Sequence, residues 1–337
     1  MPNKSGNGFR REVMTKLNRR EFIHRSVKAG LVLASALGGG WWLHDTNAPS
    51  LEPSVKALSG LPDFSKTFND GPAMAIAKGT DLGDLLQRTM GALGGMTRFV
   101  SPGDRVVIKV NAAFASPPVI SATSHPDLVK AVVRACLDAG ASDVVVTDNP
   151  INDPASCFRL TGIGPAAESA GGRVQLPTAD RFADVTLAGA RLIREWPVLI
   201  EPLVNADCLI GLAPLKDHHR SGASMTIKNW YGLLGGRRNI FHQDIHTIIA
   251  ELAALVRPTL VILDAVTTMM HNGPTGGSIS DLAGTNTLVA GVDPVAVDAF
   301  GAQILGRELN QLPHLQQAAD AGLGILDYQT LNPVDVP

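Results

Sequence analysis

Residues able to do chemistry crowd into one stretch of this sequence. Between Pro214 and Gly236 stand Lys216, Asp217, His218, His219, Arg220, Lys228 and Asn229, set between an apolar run and a glycine-rich turn. Ammonium, guanidinium and amide donors at that density suit an anionic ligand, whether phosphate or carboxylate, although the Ser, Gly and Thr content of the same stretch also suits a solvated lid. Lys216, His218 and Lys228 are the candidates for electrostatic or acid–base work, with Asp264 as their carboxylate partner. Lys109, Asn111, Asp148, His219, Asn229 and Asp293 are candidates for holding the ligand. His242 and His246 lie four apart, a spacing at which two imidazoles on one edge of a helix can share a metal ion. No Glu follows the first of them, so the zinc-protease motif is missing. A metal ion is the one cofactor these residues suggest.

Nearly all of these side chains come just after an apolar run, and that is what must position them. Arg105–Val110, Asp143–Thr147, Ala206–Ala213, Thr259–Leu263 and Thr287–Ala290 are β-branched or apolar runs of strand length. Pro126–Ala139, Asp244–Val256 and Pro294–Leu305 carry apolar residues at helical spacing. Strands alternating with helices predict a layered α/β fold with a mostly parallel, buried sheet and helices on both faces. The stretch around 150–202 is less periodic and reads as an irregular excursion. Parallel strands present their carboxyl ends along one edge, so the polar residues that follow them are expected to converge there. Asp293 also precedes Pro294, the pattern of a helix cap, and His125 opens the first helix in the same way.

Charge divides the chain in two. Residues 1–28 hold eight of the 29 basic residues and two of the 31 acidic ones, a balance of +6, which leaves 21 basic and 29 acidic residues and about −8 in the body. A body of that sign does not grip a phosphate backbone, so nucleic acid is excluded as a partner. Asn18-Arg19-Arg20-Glu21-Phe22-Ile23 precedes an uncharged stretch from Ala29 to Leu43, a basic region followed by an apolar one of signal-peptide length. It resembles the twin-arginine (Tat) export signal, which implies the Tat translocase as a transient partner and a periplasmic or extracytoplasmic destination. Residues 1–48 are therefore read as signal and connector, with Met14 an alternative start, and 49–337 as a single α/β domain. The apolar stretch is shorter than the roughly 20 residues of a spanning helix, though an uncleaved tether remains an alternative.

Cys136, Cys157 and Cys208 are odd in number and widely spaced, so they define no disulfide framework and no iron–sulfur cluster motif. The glycine-rich His271–Gly277 loop lacks both the Lys-Ser/Thr of a P-loop and the spacing of a dinucleotide fingerprint. A Gly-x-Ser-x-Gly nucleophile elbow is also missing.

Several of these motifs occur together: Ser124-His125-Pro126; Pro214-Leu215-Lys216-Asp217-His218 with Lys228-Asn229 and Gly232; Asp264 before Asn272-Gly273-Pro274-Thr275; and Asp293-Pro294-Val295-Ala296-Val297-Asp298. In combination they resemble the domain-of-unknown-function family numbered 362, over about residues 100–310. Some members of that family are fused to ferredoxin-type domains, and the resemblance thereby implies redox work. This chain lacks cluster-binding cysteines, so such a role would require a separate redox partner. Two classes of function are expected from the residues: an enzyme acting on an anionic small molecule, or a non-catalytic protein that holds a ligand or metal for a partner.

Overall fold

The computed structural model describes residues 58–337 except residue 69, together with Arg20, Ile23, Val27 and Lys28, which are helical. Arg19, Met14 and the uncharged stretch 29–43 lie outside the described residues, and the export-signal reading lies there with them. The chain divides into two units, residues 1–54 and 55–337, and the sheet belongs to the second. Among the described residues no helix is long and apolar enough to cross a membrane.

In chain order the elements are β1 (Met74–Lys78), α1 (Leu82–Ala92), β2 (Arg105–Lys109), α2 (Pro126–Asp138), β3 (Asp143–Thr147), α3 (Pro154–Leu160), α4 (Ile163–Ser169), β4 (Arg173–Gln175), β5 (Phe182–Val185), β6 (Trp196–Leu199), α5 (Glu201–Val204), β7 (Cys208–His218), β8 (Gly222–Ser224), α6 (Thr226–Asn229), α7 (Ile245–Leu255), β9 (Leu260–Met269), β10 (Leu282–Gly291), α8 (Pro294–Ile304), α9 (Pro313–Asp320) and β11 (Val334–Val336). One sheet runs β11-β1-β10-β9-β7-β2-β3-β4, with β8 folded back on the end of β7. The pairings from β9 through β7, β2 and β3 to β4 are all parallel. This is the α/β fold expected from the sequence.

The two faces of the sheet feed two cores. Val107 and Leu209 face one core with Trp230, Ile248 and Leu263, whereas Val106, Ile108 and Ile210 face the other with Leu85, Leu128 and Val132. Alternate residues of each strand therefore serve opposite layers, and the central parallel strands β2, β3, β7 and β9 carry apolar residues on both sides. Helix α2 shows how local signals set an element. His125 caps it, Pro126 occupies its first turn, Leu128, Val129, Val132, Val133 and Cys136 are buried, and Gly140 at φ 100° turns the chain out.

The excursion around 150–202 holds α3 and α4, strand β4 on the sheet edge, and a separate β5–β6 hairpin. One expectation about direction is corrected. β10 runs antiparallel to both of its neighbours, β9 and β1. No crossover helix separates β9 from β10, only residues 270–281 with a short 3₁₀ turn, and a parallel return needs a crossover.

Candidate functional site

β2 and β3 end side by side at the carboxyl edge while β7 runs on past them to His218, and a cavity of about 400 Å³ opens there. Because β3 lies outward from β2 on one side while β7 leads to β9 on the other, this is where the strand order reverses, the usual crevice for ligands in an open α/β sheet. Lys109, Asn111, Asp148, Lys216, His218, His219, Lys228, Asn229 and His242 all line it.

At its floor Lys109 and Asp148 form a buried ion pair, Nζ to Oδ1 at 2.7 Å. The Lys109 ammonium also donates to the carbonyls of Val110 at 2.7 Å and Asn229 at 2.8 Å. The Asp148 carboxylate accepts from the backbone N–H groups of Ala112 and Asn149, at 2.7 and 2.9 Å. Burial pushes the Lys109 ammonium below its usual range and Asp148 opposes that shift. Both groups are thereby consumed in structure. A Cβ on Gly232 would stand 2.1 Å from Asp148 Oδ1 and 2.7 Å from Lys109 Nζ, so only glycine fits over this pair.

The other cations are not neutralised by carboxylates. Lys216, 1% exposed, donates to the Ala122 carbonyl and to Asn111 Oδ1, and its ammonium stands 5.3 Å from the centre of the Phe114 ring. Burial first, and then the neighbouring charge of Lys228, push Lys216 down to about 7. The Lys228 ammonium faces the Tyr231 ring at 5.2 Å and makes no hydrogen bond or ion pair with any described residue. Burial, with Arg238 and Lys109 nearby, pushes it down to about 8. His218 is driven down to about 2, chiefly by burial and then by the two lysines, so its ring is neutral. Its Nδ1 accepts from the backbone of Arg220 and Ser221 at 3.2 and 3.3 Å, which puts the proton on Nε2 as a hydrogen-bond donor. The His218 ring stacks between His219, centroids 5.2 Å apart, and His242, at 6.2 Å.

Pro274, from the glycine-rich loop noted in the sequence, also lines the cavity, as do Tyr231, Arg238 and Phe114, which were not singled out there. Arg238 had a signal, since it closely follows the Gly235-Gly236 turn. It is braced by the carbonyls of Asn149, Pro150 and Leu234 at 2.7–3.0 Å. Asp217 turns away from the cavity, pairing with Arg307 at 2.8 Å and accepting from Gly273 N–H at 3.0 Å.

Three candidates stand elsewhere. Asp264 shares its strand face with Ile262 and Val266, and it opens into a different cavity with His125 and Thr123. Asp293 follows β10, and because that strand is antiparallel its carboxyl end reaches the opposite edge. There it caps α8, accepting from Val295, Ala296 and Ile325 N–H at 2.9–3.0 Å. The pair His242 and His246 is not brought together. Residues 238–244 form a 3₁₀ helix and α7 begins only at Ile245, so the four-residue α-helical register does not hold between them. His246 instead pairs with buried His314, Nδ1 to Nδ1 at 3.0 Å. Among the described residues no group of three or more His, Cys, Asp or Glu is arranged to hold a metal ion.

The family described as "Domain of unknown function (DUF362)" matches residues 106–303, more than half of the chain, and the chain belongs to that family. It is similar to the thylakoid-associated protein sll1697 of Synechocystis sp. (strain ATCC 27184 / PCC 6803 / Kazusa), 26% identical over 256 residues that cover 71% of this chain and 74% of that protein. Among solved structures it has a likeness to the lactate racemase apoprotein of Thermoanaerobacterium thermosaccharolyticum, with 13% identity, a TM-score of 0.36 and coverage of 72% of this chain and 61% of the other. A Thermotoga maritima protein matches at 10% identity and a TM-score of 0.32, covering 71% and 57%. The chain spans less than two thirds of either solved protein.

Proposed function

We propose that this DUF362 member binds a small anion, carrying a phosphate or a carboxylate, in the cavity at the ends of β2, β3 and β7, and moves a proton on it through Lys216. The observation that carries the reading is Lys228. Its ammonium lines the cavity with no anionic partner among the described residues, while the cavity's one carboxylate, Asp148, is already held by Lys109. A desolvated cation without a counter-ion is costly, and an anionic ligand removes that cost. The His218 Nε2–H adds a neutral donor and Asn229 helps hold Lys109 in place. Lys216, near 7, exchanges its proton at neutral pH and serves as base or acid, whereas Lys228 and Arg238 fix charge.

Isothermal titration of the full chain with inorganic phosphate and with acetate tests the binding step. Saturable binding of at least one anion is expected, weakened about tenfold or more in Lys228→Met. Equal affinity in wild type and Lys228→Met would remove the basis of the reading. We further propose that the Arg19-Arg20 leader exports the folded protein by the twin-arginine route, supported by its basic region and the uncharged stretch after it. Replacing both arginines with lysine is expected to retain the protein in the cytoplasmic fraction; unchanged export contradicts this.

A further inference from the structure

We propose that the cavity beside Asp264 is a second binding site, for a small organic cation bearing a primary ammonium group. It has a volume of about 350 Å³ and lies between the starts of α1 and α2 and the β9 strand. Two groups at its wall are buried and short of partners. Thr123 is 3% exposed, and its Oγ1 has no hydrogen-bond partner among the described residues. Asp264 is 8% exposed; its Oδ1 accepts from Val266 N–H at 3.0 Å, and no donor among the described residues reaches its Oδ2. A buried hydroxyl left without a partner is costly, and both it and the carboxylate oxygen open to the cavity accept hydrogen bonds.

Charge selects the ligand. Asp81 and Asp127 join Asp264 around the cavity, and His125 is the only basic side chain lining it. That sign is opposite to the lysine cavity, so the two sites take different molecules. Asp81 already caps α1 through the N–H of Asp84 at 2.8 Å and Asp127 is exposed to solvent, so Thr123 and Asp264 are the buried recognition pair. A primary ammonium carries three donors, enough to satisfy both, and its alkyl chain would occupy volume that a bare ion leaves empty. The described residues offer no three-ligand metal arrangement here.

Calorimetric titration of the full chain with 1,4-diaminobutane, with the neutral 1,4-butanediol and with Mg²⁺ tests the site. The diamine is expected to bind saturably and the diol and Mg²⁺ not; Asp264→Asn should weaken the diamine about tenfold, and Thr123→Val about threefold, with Lys228→Met unchanged. Should Asp264→Asn fail to fold, Thr123→Val, which exchanges a hydroxyl for a methyl, decides the matter. No saturable diamine binding, binding indifferent to Thr123→Val, equal binding of the diol, or Mg²⁺ bound in place of the diamine would each overturn the proposal.

Discussion

Lys228 and Lys109 have the same side chain and opposite employment. Lys109 is sealed against Asp148 and two carbonyls, so replacing it strands a buried carboxylate. Lys109→Met is expected to cost about 3–5 kcal/mol in urea denaturation. Lys228→Met removes a costly charge with no partner to strand, so stability should not fall and is expected to rise below pH 8, while anion binding falls. Gly232→Ala drives a methyl into the Lys109–Asp148 pair and is expected to cost about 1–3 kcal/mol, read in the same denaturation. The lysines and His218 were legible in the sequence because cations that dense after an apolar run have few structural uses. Which lysine is bound and which is free was not legible, since that depends on Asp148 and Asn229 arriving from other elements. Tyr231 and Phe114 gave no signal, because an aromatic residue beside a strand end is ordinarily core.

The directions of the strands decide which side chains meet. β3 was readable to the residue, and α2, α7 and α8 to within one residue at each end, because apolar periodicity and proline or glycine punctuation agree there. β1, α1 and β11 were not singled out, and β7 and β9 run longer than their apolar runs because their polar ends continue the ladder. The antiparallel course of β10 is invisible in its own residues, being set by the connection before it, and it removes Asp293 from the site. Asp293→Ala should therefore lose the α8 cap, about 1 kcal/mol of stability, and leave anion binding unchanged. A loss of anion binding in that variant would contradict the assignment of Asp293 to the opposite edge.

The molecule as a whole should register its buried lysines as pH dependence. Lys216 and Lys228 have folded values of about 7 and about 8 against ordinary values near 10.5, so between these limits the unfolded chain holds more protons than the folded one. Stability is then expected to rise with pH above about 7. The three buried thiols, all raised, bring an opposing term as the unfolded thiols ionise around pH 8.5, which confines the clean window to about pH 7–8. Urea midpoints across that window should climb in the wild type and climb less steeply in Lys216→Met, where the Lys228 contribution remains. An anion in the cavity acts on the same equilibrium from the other side, because it favours the charged lysines and raises their values. Affinity should accordingly fall as pH climbs past 8. The most direct test is titration of the full chain with sulfate, which does not itself titrate, at pH 8 in two buffers of different ionisation enthalpy. Saturable binding with uptake of roughly one proton per anion is predicted, as Lys216 and Lys228 recharge; no binding, or binding without proton uptake, would contradict the account.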